Sequence, residues 1–202
     1  MKFVPRSEET RQFIIEKTAA IFNKKGYAGT SMSDLTAATN LTKGSIYGNF
    51  ENKESVALAV FDYNAKKKNK FEDEKLALAP TYKEKLMVYA HIFCQKDALE
   101  LMEGGCPLLN TGIESDDTHE PLRKKVGEEL SAWKKKIQAI LSAGIKAKEF
   151  VPTVDMEKFA LSVIALIEGG IFVARATKNK KNFEVILKTV EDMIENISLV
   201  KN

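Results

Sequence analysis

Apolar residues recur every three to four positions through most of this chain, and this spacing constrains the fold more than any other feature. A period near 3.6 residues gathers apolar side chains on one face of an α-helix, whereas a half-buried strand requires strict alternation of apolar and polar residues. No stretch alternates for long enough to predict a sheet. Residues 86–93 are apolar nearly all round, as in a helix buried inside a bundle. The sequence therefore predicts an all-α protein.

Capping residues and helix breakers set the predicted boundaries of the helices. Ser7, Ser33, Thr42 and Asn52 are predicted N-caps, because short polar side chains accept hydrogen bonds from the first turn of a helix. Gly26 is predicted to end the first helix with a positive φ angle. The predicted helices span, approximately, residues 7–25, 34–39, 42–49, 52–78, 81–102, 108–115, 121–148, 155–177 and 182–199.

The composition and motif content exclude several classes of protein. Apolar residues make up 44% of the chain and charged residues 29%, which is ordinary for a soluble globular protein. No apolar run approaches the roughly 18 residues of a membrane span, and the N-terminus lacks the apolar core of a signal peptide. We therefore expect a cytoplasmic protein with no membrane partner. No phosphate loop, nucleophile elbow or HExxH motif is present, so an enzyme is not expected.

The two cysteines and two histidines predict no metal site. Cys94, Cys106, His91 and His119 show neither CxxC nor HxxxH spacing. Reduced thiols fit the cytoplasm. Cys106, beside two glycines, is open to a redox-switch interpretation, but nothing near it in sequence would lower its pKa. No cofactor is predicted.

All of the formal charge excess lies at the N-terminal end. The net charge of the chain is +3, and the basic and acidic residues after position 50 cancel. A basic N-terminal segment favours a polyanionic partner. The excess is small, and sampling noise explains it equally well.

The two short helices around Asn40 predict a helix-turn-helix. Asn tolerates the left-handed backbone conformation that the tight turn of this motif requires. Leu35, Leu41 and Ile46 stand where the two helices must pack against each other. The second helix also presents side chains of the types that bind phosphates and base edges, namely Thr42, Lys43, Ser45, Tyr47 and Asn49.

Three residues of this region admit two interpretations each. Gly44 disfavours a helix by about 1 kcal/mol, so it is either required for close approach of the backbone to DNA or merely tolerated in a short supported helix. Tyr47 is either a phosphate contact, which we favour, or a half-buried core aromatic. Lys53 stands at a helix N-terminus, where the dipole attracts phosphate, but an isolated lysine is also ordinary surface.

The stretch from Ile14 to Tyr63 resembles the DNA-binding domain of the TetR/AcrR family of bacterial regulators. The matching residues are the apolar face of 15–22, Lys25-Gly26-Tyr27, Gly29-Thr30-Ser31, Asp34-Leu35, Leu41-Thr42-Lys43-Gly44-Ser45-Ile46-Tyr47, Phe50 and Asn52-Lys53-Glu54. The chain departs from the family pattern with Asn40 for a common glycine, Thr36 for a usual alanine, and Gly48-Asn49 for a frequent His-Tyr pair.

This resemblance implies a DNA-binding domain over residues 1–51 and a helical ligand-binding and dimerisation domain over 52–202, with 52–78 as the connecting helix. It implies a homodimeric repressor that binds a palindromic double-stranded DNA operator, with the helix Thr42–Asn49 in the major groove. The expected DNA contacts are Thr30, Ser33, Thr42, Lys43, Gly44, Ser45, Tyr47, Asn49 and Lys53.

In this family the C-terminal domain binds a small-molecule inducer and forms the dimer. The last two helices are more apolar than one flank of a core requires, so we expect them to pair with a symmetry mate through Phe159, Val163, Ile167, Gly170, Ile186, Val190, Met193, Ile194 and Ile197. The alternative is burial within one chain. An inducer cavity is expected among Met87, Tyr89, His91, Phe93, Cys94, Met102, Trp133 and Phe172. The inducer itself is not specified by the sequence.

Two alternatives stay open at this point. The helix-turn-helix could serve a protein partner, although such a helix would display an apolar stripe in place of Lys43, Tyr47 and Lys53. Activation and repression also cannot be separated by sequence. For a repressor, we expect the inducer to tilt the helix 52–78 and so change the spacing of the two recognition helices, whose half-sites lie about 34 Å apart.

Overall fold

The fold is helical throughout the part of the chain that the structure describes. The computed structural model describes residues 7–95 and 103–199, and within them no strand is present. This confirms the predicted all-α class. The elements are α1 Glu8–Gly29, α2 Met32–Thr39, α3 Lys43–Tyr47, α4 Lys53–Leu78, α5 Tyr82–His91, a 3₁₀ turn Ile92–Cys94, α6 Pro107–Ser115, α7 Glu120–Lys146, α8 Met156–Ala176 and α9 Lys180–Ile197.

Three of the four predicted N-caps, Ser7, Thr42 and Asn52, are present. The Ser7 side chain accepts a hydrogen bond from the backbone of Thr10 at 3.2 Å, and the Asn52 side chain accepts from Ser55 at 2.8 Å. The prediction for α2 was wrong by two residues: Ser31, not Ser33, caps this helix. Ser31 caps the helix because the side chain of Asp34, three residues later, accepts a hydrogen bond from the Ser31 backbone N–H and completes a capping box.

Helix α5 is shorter than the predicted 81–102. Its last residue is His91, the 3₁₀ turn follows, and Gln95 is extended with φ −72° and ψ 148°. An extended residue cannot continue a helix, so α5 and the 3₁₀ turn after it end before Gln95. The remainder of that prediction, 96–102, lies outside the described residues.

The chain divides into two compact units, and the first contains the described residues up to Lys68 together with 103–127. Helices α1 to α4 supply its apolar core, in which Ile14, Leu35, Ile46 and Val56 are fully buried. Helix α6 packs on α1. Residues 103–127 therefore belong with the N-terminal helices, whereas the sequence-based boundary at 51/52 separates them. The difference arises because long-range packing, not chain order, defines a unit.

The second unit contains residues 69–95 and the described residues from 128 onward. Helices α8 and α9 pack along each other, and α9 also packs on α5. Their close approach requires Gly170, because a Cβ there would lie 2.7 Å from the Phe183 ring. Among the described helices, α8 alone is long and apolar enough to cross a membrane by length and composition. Its buried residues, which include Glu168, pack inside this unit, so packing accounts for one part of its apolar surface, and another part faces solvent.

Candidate nucleic-acid interface

The corner between α2 and α3 has the geometry of a helix-turn-helix. Asn40 adopts φ 53° and ψ 28°, the left-handed conformation predicted for it. Leu35 and Ile46 are fully buried, and Leu41 packs against the same core. These contacts fix α2 and α3 as one rigid pair and leave the opposite face of α3 to solvent.

The first turn of α3 projects from the surface of the first unit. The Thr42 hydroxyl accepts a hydrogen bond from the Ser45 backbone at 3.1 Å and so caps the helix. Thr42, Lys43 and Gly44 are exposed, and Ser45 and Tyr47 are half-buried. This turn presents polar and small residues, as a surface that approaches a nucleic-acid groove requires.

Gly44 has no packing role inside the protein. A Cβ added to it would meet only the Thr42 hydroxyl oxygen, at 3.9 Å, which is ordinary contact. Internal packing therefore gives no reason for glycine here. Of the two interpretations, close approach by an external molecule gains support.

The positive charge of Lys43 is not neutralised by an acidic side chain among the described residues. Its Nζ lies 5.7 Å from the centroid of the Tyr47 ring, and it forms no ion pair with a residue in the described ranges. Lys24 and Lys25, by contrast, pair with Glu103 and Asp34. A lysine whose charge is not neutralised by a neighbour is suited to a phosphate.

The pairing of Lys25 has a measurable electrostatic consequence. The hydrogen bond from Lys25 at 2.7 Å, helped by backbone and hydroxyl hydrogen bonds from Ser31, lowers the pKa of Asp34 to about 2. The carboxylate is therefore ionised throughout the physiological range. Its charge at the N-terminus of α2 suits the helix dipole.

Three expected DNA contacts are engaged inside the protein, and this corrects the sequence-based set. Thr30 is fully buried and donates to the Gly26 carbonyl at 2.6 Å. Asn49 is 3% exposed, accepts from the Ser7 backbone and donates to the Ser45 carbonyl. These side chains have no surface with which to meet DNA. The Lys53 ammonium donates to two backbone carbonyls and is treated below.

The expected inducer residues fall into two groups. Tyr89, Phe93 and Trp133 are buried together, with both smaller rings 6.3 Å from the Trp133 ring, and Met87 is half-buried. The others do not line an interior: Phe172 is 57% exposed, and His91 and Cys94 also lie at the surface. Met102 lies outside the described residues.

A buried carboxylate, which the sequence analysis missed, adjoins these rings. The Tyr89 hydroxyl donates to Oε1 of Glu72 at 2.9 Å, and the Nζ of Lys136 lies 3.4 Å from the same oxygen. Burial, with a further contribution from Glu72, raises the pKa of Tyr89, so the phenol stays protonated. Glu72 gave no signal in the sequence, because it occurs in a stretch of charged residues typical of an exposed helix face.

Most of the expected dimer residues are already buried within one chain. Val163, Ile167, Val190 and Ile194 are no more than 2% exposed, so they pack inside one chain, in the unit where α8 lies along α9 and α9 also packs on α5. Ile186 and Met193 alone in that set are half-buried. These residues are buried because the most apolar face of each helix packs against the neighbouring helices of the same chain, not against a second copy.

A different stripe of α8 remains exposed. Leu161, Ala165, Gly169 and Phe172 are spaced by three or four residues and all face solvent, and Val185 of α9 is 71% exposed. A Cβ at Gly169 would meet nothing within 4 Å. The spacing of these residues was the signal in the sequence that could have identified the stripe.

Both halves of the chain match models of one protein family. Residues 14–60 match the model described as "Bacterial regulatory proteins, tetR family", and residues 83–190 match "Tetracyclin repressor-like, C-terminal domain". Among curated relatives, an uncharacterized HTH-type transcriptional regulator in the lacX 3′ region of Lactococcus lactis subsp. lactis is 30% identical over 199 residues, covering 92% of this chain and 95% of the relative. The HTH-type transcriptional repressor DhaR of Mycobacterium sp. (strain GP1) is 26% identical, with 93% and 96% covered.

Solved structures with considerable sequence identity share the whole fold. A TetR-family transcriptional regulator from Cytophaga hutchinsonii is similar with a TM-score of 0.94 and 53% identity, over 99% of this chain and 100% of that one. A TetR transcriptional regulator from Chloroflexus aurantiacus J-10-FL has a TM-score of 0.89 and 37% identity, over 95% and 96%. The similarity thus extends through both units.

Proposed function

The chain belongs to the TetR family of bacterial transcriptional regulators, which are not enzymes, and we propose that it is a cytoplasmic repressor. It binds a palindromic operator as a homodimer and leaves the operator when a small-molecule inducer binds. Repression is favoured over activation because the similar protein of Mycobacterium is named a repressor.

The observation that carries the DNA-binding proposal is the exposed first turn of α3. Its helix is held by buried Leu35 and Ile46, yet Lys43 is not neutralised within the described structure and Gly44 has no packing role. A protein-binding helix would instead expose apolar side chains. The proposed DNA contacts are Ser33, Thr42, Lys43, Gly44, Ser45 and Tyr47.

The exposed stripe of α8 is the proposed dimer surface. Leu161 is 50% exposed and Phe172 is 57% exposed on the same helix face, and exposed apolar rows of this kind mark protein interfaces. The open space at Gly169 allows two copies of α8 to approach closely. An isologous pairing across this stripe would give the two-fold symmetry that a palindromic operator demands.

The ring cluster of the second unit is the proposed inducer site. Tyr89, Phe93 and Trp133 offer aromatic walls, and Glu72 beside Tyr89 is a polar anchor. Aromatic side chains with a few polar groups are typical of the sites that bind drug-sized molecules. The inducer would act by changing the separation of the two copies of α3, for which α4 is the direct covalent path because it contains residues of both units.

The decisive experiment measures binding to the DNA immediately upstream of the gene, at several salt concentrations. The variants are the wild type, Lys43→Ala combined with Tyr47→Ala, and a control that combines Lys85→Ala with Tyr82→Ala. The control removes the same residue types from a similar pair, in which the Lys85 Nζ lies 5.0 Å from the Tyr82 ring, but in the second unit.

We expect the wild type and the control to bind selectively, with a dissociation constant below about 10⁻⁸ M at physiological salt. The α3 double variant should lose affinity and reduce the salt slope by about one for its missing lysine. Binding no better than to random DNA would exclude autoregulation and require a genome-wide site search. Failure of the wild type to bind any duplex would overturn the proposal in favour of a protein partner.

A further inference from the structure

Residues 26–31 run from the kink at Gly26 in α1 to the start of α2. This segment, called the α1–α2 corner below, is held by a carboxylate from far along the chain. Gly26 departs from the helix with φ 72° and ψ 179°, and the next two N–H groups point to Glu114 of α6. Its two carboxylate oxygens accept from Tyr27 at 2.7 Å and from Ala28 at 2.8 Å. Hydrogen bonds to a charged acceptor are about twice as strong as neutral ones.

The carbonyl groups of the same corner are held by a cation. The Lys53 ammonium donates to the Tyr27 carbonyl at 2.8 Å and to the Thr30 carbonyl at 3.0 Å. It also lies 4.2 Å from the Tyr27 ring centroid. Lys53 therefore completes the corner and is withdrawn from the expected phosphate contact. The corner is therefore hydrogen-bonded on both sides: its N–H groups donate to the Glu114 carboxylate, and its carbonyl groups accept from the Lys53 ammonium.

Residues 103–119 attach to α1 at further points beside the corner. Asn23 is buried and donates to the carbonyls of Glu103 and Gly105 at 2.8 and 2.9 Å. The Asn110 side chain donates to the Asn23 carbonyl at 3.0 Å. The His119 ring packs edge-on against Tyr27, with centroids 4.5 Å apart. The corner is thus attached to α6 and its flanks by side-chain contacts in addition to apolar packing.

The orientation of the corner is passed directly to the helix-turn-helix. Ser31, the last residue of the corner, caps α2 through the capping box with Asp34. Lys25, just before the corner, binds the same Asp34 at 2.7 Å. Helix α2 in turn packs on α3. A displacement of Glu114 would therefore shift the corner and α2, which are joined by hydrogen bonds, and then α3, which packs on α2. No residue of the proposed DNA surface would need to change.

We propose that Glu114 is a positioning residue for DNA binding, and that α6 sets the orientation of the helix-turn-helix through it. This inference rests on the proposed function, since it concerns the affinity for an operator. It adds a second path to that of α4. A movement of α6 would be transmitted to the helix-turn-helix through the α1–α2 corner, because Glu114 holds the backbone N–H groups of Tyr27 and Ala28.

The test compares Glu114→Gln with Glu120→Gln in operator binding by fluorescence anisotropy. Glutamine keeps the shape of the side chain, but it offers one acceptor in place of two and turns an NH₂ group toward a backbone donor. Glu120 is a matched control, because it is exposed and its ion pair in the described structure is with Arg123 on the same helix. Binding is measured well below the melting temperature of each variant, so that all the protein is folded.

We expect Glu114→Gln to weaken operator binding about tenfold, within the usual range of coupling between sites, with an unchanged salt slope. Glu120→Gln should bind as the wild type. Glu114→Asp, which retains the charge on a shorter side chain, should fall between them and serves if the glutamine variant does not fold. Hydrogen exchange of residues 24–31 should accelerate in the order of the affinity losses.

A variant that melts earlier but binds the operator with wild-type affinity would overturn the positioning role and leave Glu114 a purely stabilising contact. A reduced salt slope would also contradict the inference, because it would indicate a lost phosphate contact. If the wild type itself binds no operator, the proposed function fails instead. The two failures are therefore distinguishable.

Discussion

Replacing Gly26 by alanine should destabilise the protein by about 3–5 kcal/mol. The backbone at φ 72° and ψ 179° is nearly exclusive to glycine, and residues with a Cβ pay about 1–3 kcal/mol there. The new Cβ would lie 2.6 Å from Cδ and 2.7 Å from Oε1 of Glu114, so the carboxylate must leave. Two charge-assisted hydrogen bonds are then lost, each contributing about 1.5–3 kcal/mol. Together with the strain this is about 4–9 kcal/mol, and solvation of the freed groups by water offsets part of the loss, which leaves about 3–5 kcal/mol.

Thermal unfolding measures this change directly. For a chain of this size, 1 kcal/mol corresponds to about 2–4 °C, so Gly26→Ala should melt roughly 6–20 °C below the wild type. Gly127→Ala is the matched control: it is exposed in the middle of α7, and its Cβ would meet nothing within 4 Å. It should gain up to about 1 kcal/mol, because alanine is the better helix former.

A double-mutant cycle tests the cause of the loss. In a Glu114→Ala background the carboxylate and its contacts are absent, so Gly26→Ala should lose only the backbone strain, about 1–3 kcal/mol. Fully additive losses would refute the argument that both residues act on the same contact. A Gly26→Ala variant as stable as the wild type would refute the assigned strain as well.

Three further outcomes follow from the structure. Asp34→Asn should lower stability at neutral pH, because Lys25 depresses the pKa of Asp34 to about 2 in the folded protein. The difference in urea midpoint between variant and wild type should therefore persist above pH about 4 and disappear as the pH falls toward 2. Phe172→Glu should convert a dimer to the 22.6 kDa monomer in light scattering, whereas Leu78→Glu, at an even more exposed apolar position, should not. A Phe172→Glu variant that stays dimeric would show that the dimer interface does not include this stripe. Gly44→Ala should leave the melting temperature unchanged or slightly raised while weakening operator binding. Unchanged binding would refute the interpretation that Gly44 allows close approach of the backbone to DNA.

Sequence alone determined the features that depend on neighbouring residues. The 3.6-residue period established helices, because side chains three and four positions apart share a face whatever the rest of the chain does. Asn40 marked the left-handed corner and Asn52 a helix start, and both are present. The same local patterns led to the family, whose DNA-binding motif is contiguous in the chain. Even the error at Ser33 was local, since the capping box of Ser31 and Asp34 was present in the sequence.

Tertiary structure decided the features that depend on residues far apart. Nothing near Glu114 indicates that it binds a backbone 87 residues away, and Thr30 and Asn49 look like surface residues until their partners are known. Helix α8 has apolar residues on most of its circumference, so its period could not indicate which face meets α9 and which meets solvent. The choice depends on the positions of other helices, and a periodic pattern contains no information about those positions.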